Sequence, residues 1–164
     1  MLEALSALAK ETTVLFPVHP RTTHRIREFN FQTHFDFFGE IQPANLGSSR
    51  IQCIPPLGYL DFLCLMSNAR LLLTDSGGIQ EETTVLGIPC VTLRENTERP
   101  VTISRGTNVL AGTKKERILR LALENMELSV RAEPPKYWDG KAGARIIQIL
   151  ARDVVLPRQI HDQV

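Results

Sequence analysis

The stretch that most restricts the fold is Leu71-Leu72-Leu73-Thr74-Asp75-Ser76-Gly77-Gly78-Ile79-Gln80-Glu81-Glu82. A short apolar run suited to a buried strand, Arg70 to Thr74, passes through Asp75 into Ser-Gly-Gly. A helical pattern follows at once from Gly77 to Leu86, with Ile79, Thr83 and Leu86 on one face and Gly87 placed as its C-cap. A strand that feeds directly into a helix belongs to a parallel sheet, because parallel neighbours need a crossover. Glycine removes the Cβ that keeps a ligand off the backbone. The first amides of a helix have no partner within it and carry the positive end of its dipole. A phosphate or diphosphate is therefore the natural occupant of this turn, with the Ser76 hydroxyl as a further donor. The carboxyl ends of parallel strands are also where open α/β sheets bind ligands. A plainer alternative stands beside it, in which Ser76 is only an N-cap and Gly77-Gly78 only a tight turn. Neither GxxxxGK[ST] nor GxGxxG occurs.

The rest of the chain continues the alternation. Leu2 to Glu11 reads as a helix, Thr12 to Val18 as a buried strand stopped by Pro20, and Thr22 to Phe29 as a helix. Phe31 to Ser49 holds Gly39, Pro43, Asn45 and Gly47 and reads as a long loop with at most one helical turn. A strand is expected over Arg50 to Ile54, then a turn at Pro55-Pro56-Leu57-Gly58. Leu60 to Ala69 follows as a helix apolar nearly all round and hence buried. Beyond the Ser-Gly-Gly unit, strands are expected at Pro89 to Leu93 and Asn108 to Leu110. Helices are expected at Lys114 to Leu128 and Ala142 to Leu150, with a polar connector from Glu133 to Gly140. This order specifies an α/β fold, a parallel sheet with helices on both faces. One domain over residues 1–150 and a tail over 151–164 are expected.

Bulk charge gives no reason to expect nucleic acid or an anionic membrane as partner: 19 Lys plus Arg stand against 18 Asp plus Glu. No apolar stretch approaches the about 20 residues of a membrane span. Met1 to Lys10 lacks a basic segment followed by an apolar one, so no signal peptide is expected, and the expected location is cytoplasmic. Cys53, Cys64 and Cys90 show no CxxC spacing and read as buried free thiols, Cys53 and Cys90 in apolar runs and Cys64 in an apolar helix. No metal-ligand constellation, Ser-His-Asp arrangement or cofactor motif stands out, so no metal and no cofactor are expected.

Three further candidates follow, one on the helix after Ser-Gly-Gly and two just past strand ends. Glu82 lies under two turns beyond Ser76, where a carboxylate reaches a ribose while the helix amides hold phosphates; its alternative role, shared with Glu81, is to favour the helix dipole. Arg94-Glu95-Asn96-Thr97-Glu98-Arg99-Pro100 follows the next strand. Arg99 there has the fork to neutralise a phosphate, and a solvated charged loop is the alternative. His19, in Pro17-Val18-His19-Pro20-Arg21, also follows a strand, although a lone histidine is commonly structural. His24 and His34 show no partner pattern and are expected on the surface.

The run TDSGGIQEETTVLGIPCVTLRENTERP, Thr74 to Pro100, closely resembles the signature of non-hydrolysing UDP-N-acetylglucosamine 2-epimerases. PPLGYLDFL (Pro55 to Leu63), FPVHPR (Phe16 to Arg21) and GTNVLAG (Gly106 to Gly112) resemble further pieces of that family. The resemblance implies a Rossmann-like domain, the C-terminal, UDP-binding half of a two-domain, glycosyltransferase-B-like architecture with its active site in the cleft. It implies that Ser76, Gly77 and Gly78 hold the diphosphate and Glu82 the ribose. Leu57 and Tyr59, in the Pro56 to Tyr59 loop, would lie beside the uracil, and Arg99 would support the phosphates. His19 matches a family histidine that in some members helps bind a second, regulatory UDP-GlcNAc.

The reaction implied inverts C2 of the sugar by anti elimination of UDP and its re-addition, giving UDP-ManNAc. The residues here suit stabilisation of the departing diphosphate. In the family the C2 acid/base carboxylates come from the other domain, so no catalytic residue is expected in this chain and activity alone is not expected. The family's Gly-His-Arg-type strand end is absent ahead of His19, so the first, central strand of the domain is expected to be missing, as in a fragment or truncated product. Its neighbours are then expected to re-pair or to recruit an edge, favouring a homodimer. Partners implied are UDP or UDP-GlcNAc and the missing N-terminal domain. Two alternatives remain: the donor-binding half of a UDP-sugar glycosyltransferase, and a nucleotide-sugar-binding module without turnover.

Overall fold

A computed structural model describes residues 1–39, 49–128 and 134–155. Helix α1 spans Leu2–Glu11, as its apolar spacing predicts, and buries Ala4, Leu8 and Ala9. Strand β1 is Leu15–Pro17, shorter than the Thr12 to Val18 expectation. Its pairing nevertheless runs further, because Gln52 N–H donates to Val14 O (2.9 Å) and Val18 N–H to Ile54 O (2.8 Å). Helix α2 is Pro20–Glu28. Pro20 both stops the strand and opens this helix at a position where a missing N–H costs nothing.

The expected loop from Phe31 to Ser49 contains a 3₁₀ turn at Gln32–His34 and a strand, β2, at Phe35–Phe37. Its length of three residues and neighbouring turn formers conceal it in the sequence. Residues 40–48 of that stretch lie outside the described set. Strand β3, Ile51–Ile54, is buried throughout and pairs in parallel with both β1 and β2.

Helix α3 is Tyr59–Ser67, and here the expectation of burial fails: Met66 is its one buried residue, while Tyr59 is 64% and Leu60 77% exposed. Apolar composition makes a helix buriable, but α3 packs mainly on one neighbour. That neighbour is α4, Gly77–Leu86, entered from β4, Leu72–Thr74. Gly87 caps α4 in the left-handed region (φ 72°), as foreseen. Strand β5 is Cys90–Thr92, α5 is Pro100–Ser104, β6 is Asn108–Leu110, α6 is Lys115–Met126 and α7 is Ala142–Leu150. Helix α5 was not foreseen; Pro100 at its first position is the local signal. After α7 the chain continues helically through Ala151–Val155, and the remainder of the tail lies outside the described residues.

All described strand pairs are parallel, and helices flank them, as the alternation requires. Instead of one sheet there are two of three strands, ordered β1-β3-β2 and β4-β5-β6. No described strand hydrogen-bonds between them, so the strand expected to be missing is not replaced by re-pairing. Alternation along β5 shows how the second sheet is covered. Val91 packs with Ile118 of α6 and Ala4 of α1, whereas Thr92 faces the polar underside of α4. Complete burial of side chains such as Ile51, Val91 and Ile118 contributes about 1.5–3 kcal/mol each. Helix α1 serves both halves, with Ala9 in the core of the first sheet and Ala4 in that of the second.

Candidate functional site

The turn from β4 into α4 is fixed by short-range bonds. Ser76 N–H donates to Thr74 Oγ1 at 3.0 Å, and Ser76 occupies the N-cap with extended dihedrals (φ −84°, ψ 129°). Its side chain makes no cap bond, so the chain's own cap does not occupy the first-turn amides. The two glycines are not demanded by the backbone, since among the described residues the left-handed glycines are Gly87, Gly112 and Gly140. Nor does crowding demand them. A Cβ on Gly77 would stand 3.9 Å from Arg99 Cγ, and one on Gly78 3.8 Å from Ser76 Oγ. Gly106 is different: a Cβ there would fall 2.4 Å from Thr102 O and from Thr84 Oγ1. Packing thus explains Gly106, and it leaves Gly77 and Gly78 as an uncrowded approach to the amides of a helix start.

Arg99 lies over that approach. Its Nε is 2.8 Å from Glu81 Oε1, with both side chains partly exposed, and its Nη1 donates to Glu98 O at 3.3 Å. The Nε–H is not aligned on the carboxylate, because Nε has no partner by hydrogen-bond geometry despite the short separation. It is a charge contact of the exposed kind, contributing about 0–1 kcal/mol, and is readily exchanged for another anion. Glu82, next along α4, is half-buried and faces an open groove of about 580 Å³. The groove is lined by Tyr59, Leu63, Glu81, Glu82, Val85, Leu86 and Trp138, a mainly apolar surface with two carboxylates at hand. Of the candidates, Ser76, Gly77, Gly78 and Arg99 meet at the start of α4. Glu82 and Tyr59 meet in the groove beside that helix. Leu57 is half-buried in the turn before α3 and is not among the groove's lining.

His19 stands elsewhere, at the end of β1 in the other sheet. It is exposed and caps α2, its Nδ1 accepting from Arg21 N–H at 3.2 Å. This local role requires no ligand. His34, expected on the surface without a partner, is half-buried, with Nδ1 2.9 Å from Ser6 Oγ. Among the described residues no cluster of His, Cys, Asp or Glu is arranged for a metal. Burial pushes the Cys53 thiol up to about 12, helped by the Asp36 charge, and the Cys90 thiol up to about 11; Cys64, expected to be buried with them, is exposed because little of α3 is covered.

Residues not singled out from the sequence hold the Arg99 loop. Gln80 of α4 is fully buried, and its Oε1 accepts from Thr97 Oγ1 (2.6 Å) and Asn108 Nδ2 (3.2 Å). Asn108 Oδ1 accepts from Thr92 Oγ1 at 2.6 Å. Thr97 Oγ1 accepts from Arg99 N–H at 3.0 Å, and Thr102 Oγ1 donates to Arg99 O at 2.7 Å. Trp138 was likewise hidden in the segment read as a polar connector; its being the sole tryptophan was the available signal.

The profile of the UDP-N-acetylglucosamine 2-epimerase family matches residues 1–151. The UDP-N-acetylglucosamine 2-epimerase of Methanocaldococcus jannaschii is 43% identical over 140 residues, covering 85% of this chain and 35% of that protein. The enzyme of that name from Escherichia coli K12 is 47% identical over 138 residues, covering 79% of this chain and 36% of the relative. A UDP-2,3-diacetamido-2,3-dideoxy-D-glucuronate 2-epimerase of Pseudomonas aeruginosa is 31% identical over 153 residues, covering 93% of this chain and 39% of that protein. Among solved structures, the M. jannaschii UDP-GlcNAc 2-epimerase in complex with UDP-GlcNAc and UDP superposes with a TM-score of 0.73 at 38% identity. That match covers 92% of this chain and 39% of the other. The chain therefore spans well under half the length of the relatives it matches.

Proposed function

Given that the chain belongs to the UDP-N-acetylglucosamine 2-epimerase family, we propose that it is the UDP-binding half of a UDP-GlcNAc 2-epimerase, the half that holds the leaving group. The diphosphate sits at the start of α4, accepting from the Gly77 and Gly78 amides and the Ser76 hydroxyl. Arg99 leaves Glu81 to neutralise it. Glu82 accepts from the ribose hydroxyls, and Leu57 and Tyr59 flank the uracil. The observation that carries this is the pair of uncrowded, right-handed glycines beneath an arginine at an uncapped helix start. It agrees in kind with the bound UDP-GlcNAc and UDP of the M. jannaschii structure.

In the reaction, UDP is expelled from C1 as C2 loses its proton; UDP then re-adds at C1 while a proton is returned to the opposite face of C2, which inverts that carbon. Preorganised amides and a guanidinium lower the cost of charge developing on the departing diphosphate. Proton removal and return at C2 need positioned acid/base groups. These lie on the remaining part of a full-length relative, so this chain is inactive alone. The Pseudomonas relative acts, by its name, on a different UDP-sugar, which fits a domain that grips the nucleotide while the sugar is selected elsewhere. His19 contributes to a second, regulatory nucleotide-sugar contact, and the chain works in the cytoplasm as a homodimer. No described helix is long and apolar enough to cross a membrane.

Isothermal calorimetry with UDP tests the site. Binding is expected for the chain and is lost in a Ser76→Ala, Gly78→Val double variant. A heat-silent titration up to millimolar UDP refutes the isolated site. Mixing this chain with the N-terminal part of a relative is expected to give epimerisation of UDP-GlcNAc without any acceptor, which a glycosyltransferase half would not do.

A further inference from the structure

Resting on the proposed diphosphate site, we infer that Gln80 and Thr97 are positioning residues that lock the backbone of Arg99 in place above the start of α4. Arg99 is gripped at both of its backbone polar groups. Its N–H donates to Thr97 Oγ1 (3.0 Å), and its carbonyl accepts from Thr102 Oγ1 (2.7 Å). Each threonine is in turn tied inward to one of two buried amides that are bonded to each other, Thr97 to Gln80 and Thr102 to Asn108. Thr97 Oγ1 donates to Gln80 Oε1 at 2.6 Å, while Asn108 Nδ2 donates to both Gln80 Oε1 and Thr102 Oγ1 at 3.2 Å. The directions are mutually consistent: each hydroxyl gives one proton and receives one.

Gln80 makes the coupling direct, because it belongs to the first turns of α4, the helix whose leading amides face the phosphates. The loop that carries the arginine and the helix that carries the amides are thus referenced to one side chain with no exposure. The arrangement carries a cost. Among the described residues Gln80 Nε2 is buried and finds no acceptor. A buried unpaired donor costs about 1–3 kcal/mol, which an apolar residue at this core position would avoid. Retaining an amide here makes sense if the loop's position matters more than the packing does. The Arg99 side chain itself is only loosely held by its exposed contact with Glu81, so its aim toward an anion depends on where the backbone is fixed.

The test is Thr97→Val, which keeps the shape and deletes the hydroxyl, with Thr97→Ser as the conservative rescue. Thr97 is half-buried, so Thr97→Ala provides the same deletion should the valine variant not fold. UDP and uridine are titrated by NMR, and exchange of the Arg99 amide proton is followed in the free chain. Deletion is expected to weaken UDP about tenfold, to leave uridine unchanged and to accelerate Arg99 amide exchange; serine restores all three. A parallel fall in UDP and uridine affinity marks a merely structural role and overturns the inference, as does wild-type UDP affinity in the deletion variant. If the unaltered chain does not bind UDP at all, the functional proposal itself fails and takes this inference with it.

Discussion

Gly78→Ala separates what the fold wants at the start of α4 from what a ligand wants there. Gly78 has no positive φ, and a Cβ at this position meets nothing nearer than Ser76 Oγ at 3.8 Å, an ordinary contact. Alanine is favoured over glycine in a helix by roughly 0.5–1 kcal/mol. For a chain of 164 residues this raises Tm by about 1–4 °C. Every Cβ of a helix, however, tilts toward its N-terminus. The added methyl therefore leans into the space from which an anion reaches the Gly78 amide. Loss of a hydrogen bond to a charged group costs about 1.5–3 kcal/mol, or about 10- to 150-fold in affinity. The substitution should raise the melting temperature and weaken UDP binding together, a combination that generic damage does not produce. Differential scanning fluorimetry and calorimetry on one sample measure both. Undiminished UDP affinity would refute the close-approach argument, and a lowered Tm would refute the claim that neither glycine is structurally required.

Other expectations are as direct. Gly106→Ala should destabilise the chain by about 3 kcal/mol in urea melts, because its methyl collides with the Thr102 carbonyl and the Thr84 hydroxyl, both in buried surroundings. In the folded chain a maleimide should modify Cys64 rapidly and spare Cys53 and Cys90, as mass spectrometry of the labelled peptides would show. Because burial holds Cys53 protonated up to about 12 and Cys90 up to about 11, the unfolded chain releases their protons first. Stability should fall as pH rises from 9 toward those values, measured by urea midpoints across that range. Asp139, held down to about 2 by Arg145 and the Lys141 N–H, helps anchor the start of α7. That anchoring is present above pH 3.8 and lost as pH falls toward about 2, and α7 amide exchange should quicken over that window and in Asp139→Asn.

What was legible in the sequence is what short-range rules control. The bounds of α4, its Gly87 cap, β6, α1 and α7 followed from periodicity and punctuation alone. What stayed hidden depends on partners distant in the chain. Nothing local distinguishes Phe35–Phe37 from its loop until β3 pairs with it. The apolar surface of α3 reads as buried because a sequence does not say whether anything covers a helix. In the candidate site, Ser-Gly-Gly and Arg99 are conspicuous as residue types, whereas nothing in the sequence sets Gln80, Thr97, Thr102 and Asn108 apart from other polar residues. Their function as a buried linkage emerges only when α4, α5, β6 and the intervening loop are brought together. The contact of Arg99 with Glu81 was invisible for the same reason.

The division of the strands into two triplets bears on how the molecule comes apart. Each triplet has its own apolar cluster, and α1 is an element both clusters share, through Ala9 on one side and Ala4 on the other. Cooperativity between the halves then depends strongly on this ten-residue helix. Weakening α1, for instance by Leu8→Gly, should turn a single unfolding transition into two, each half melting at its own temperature.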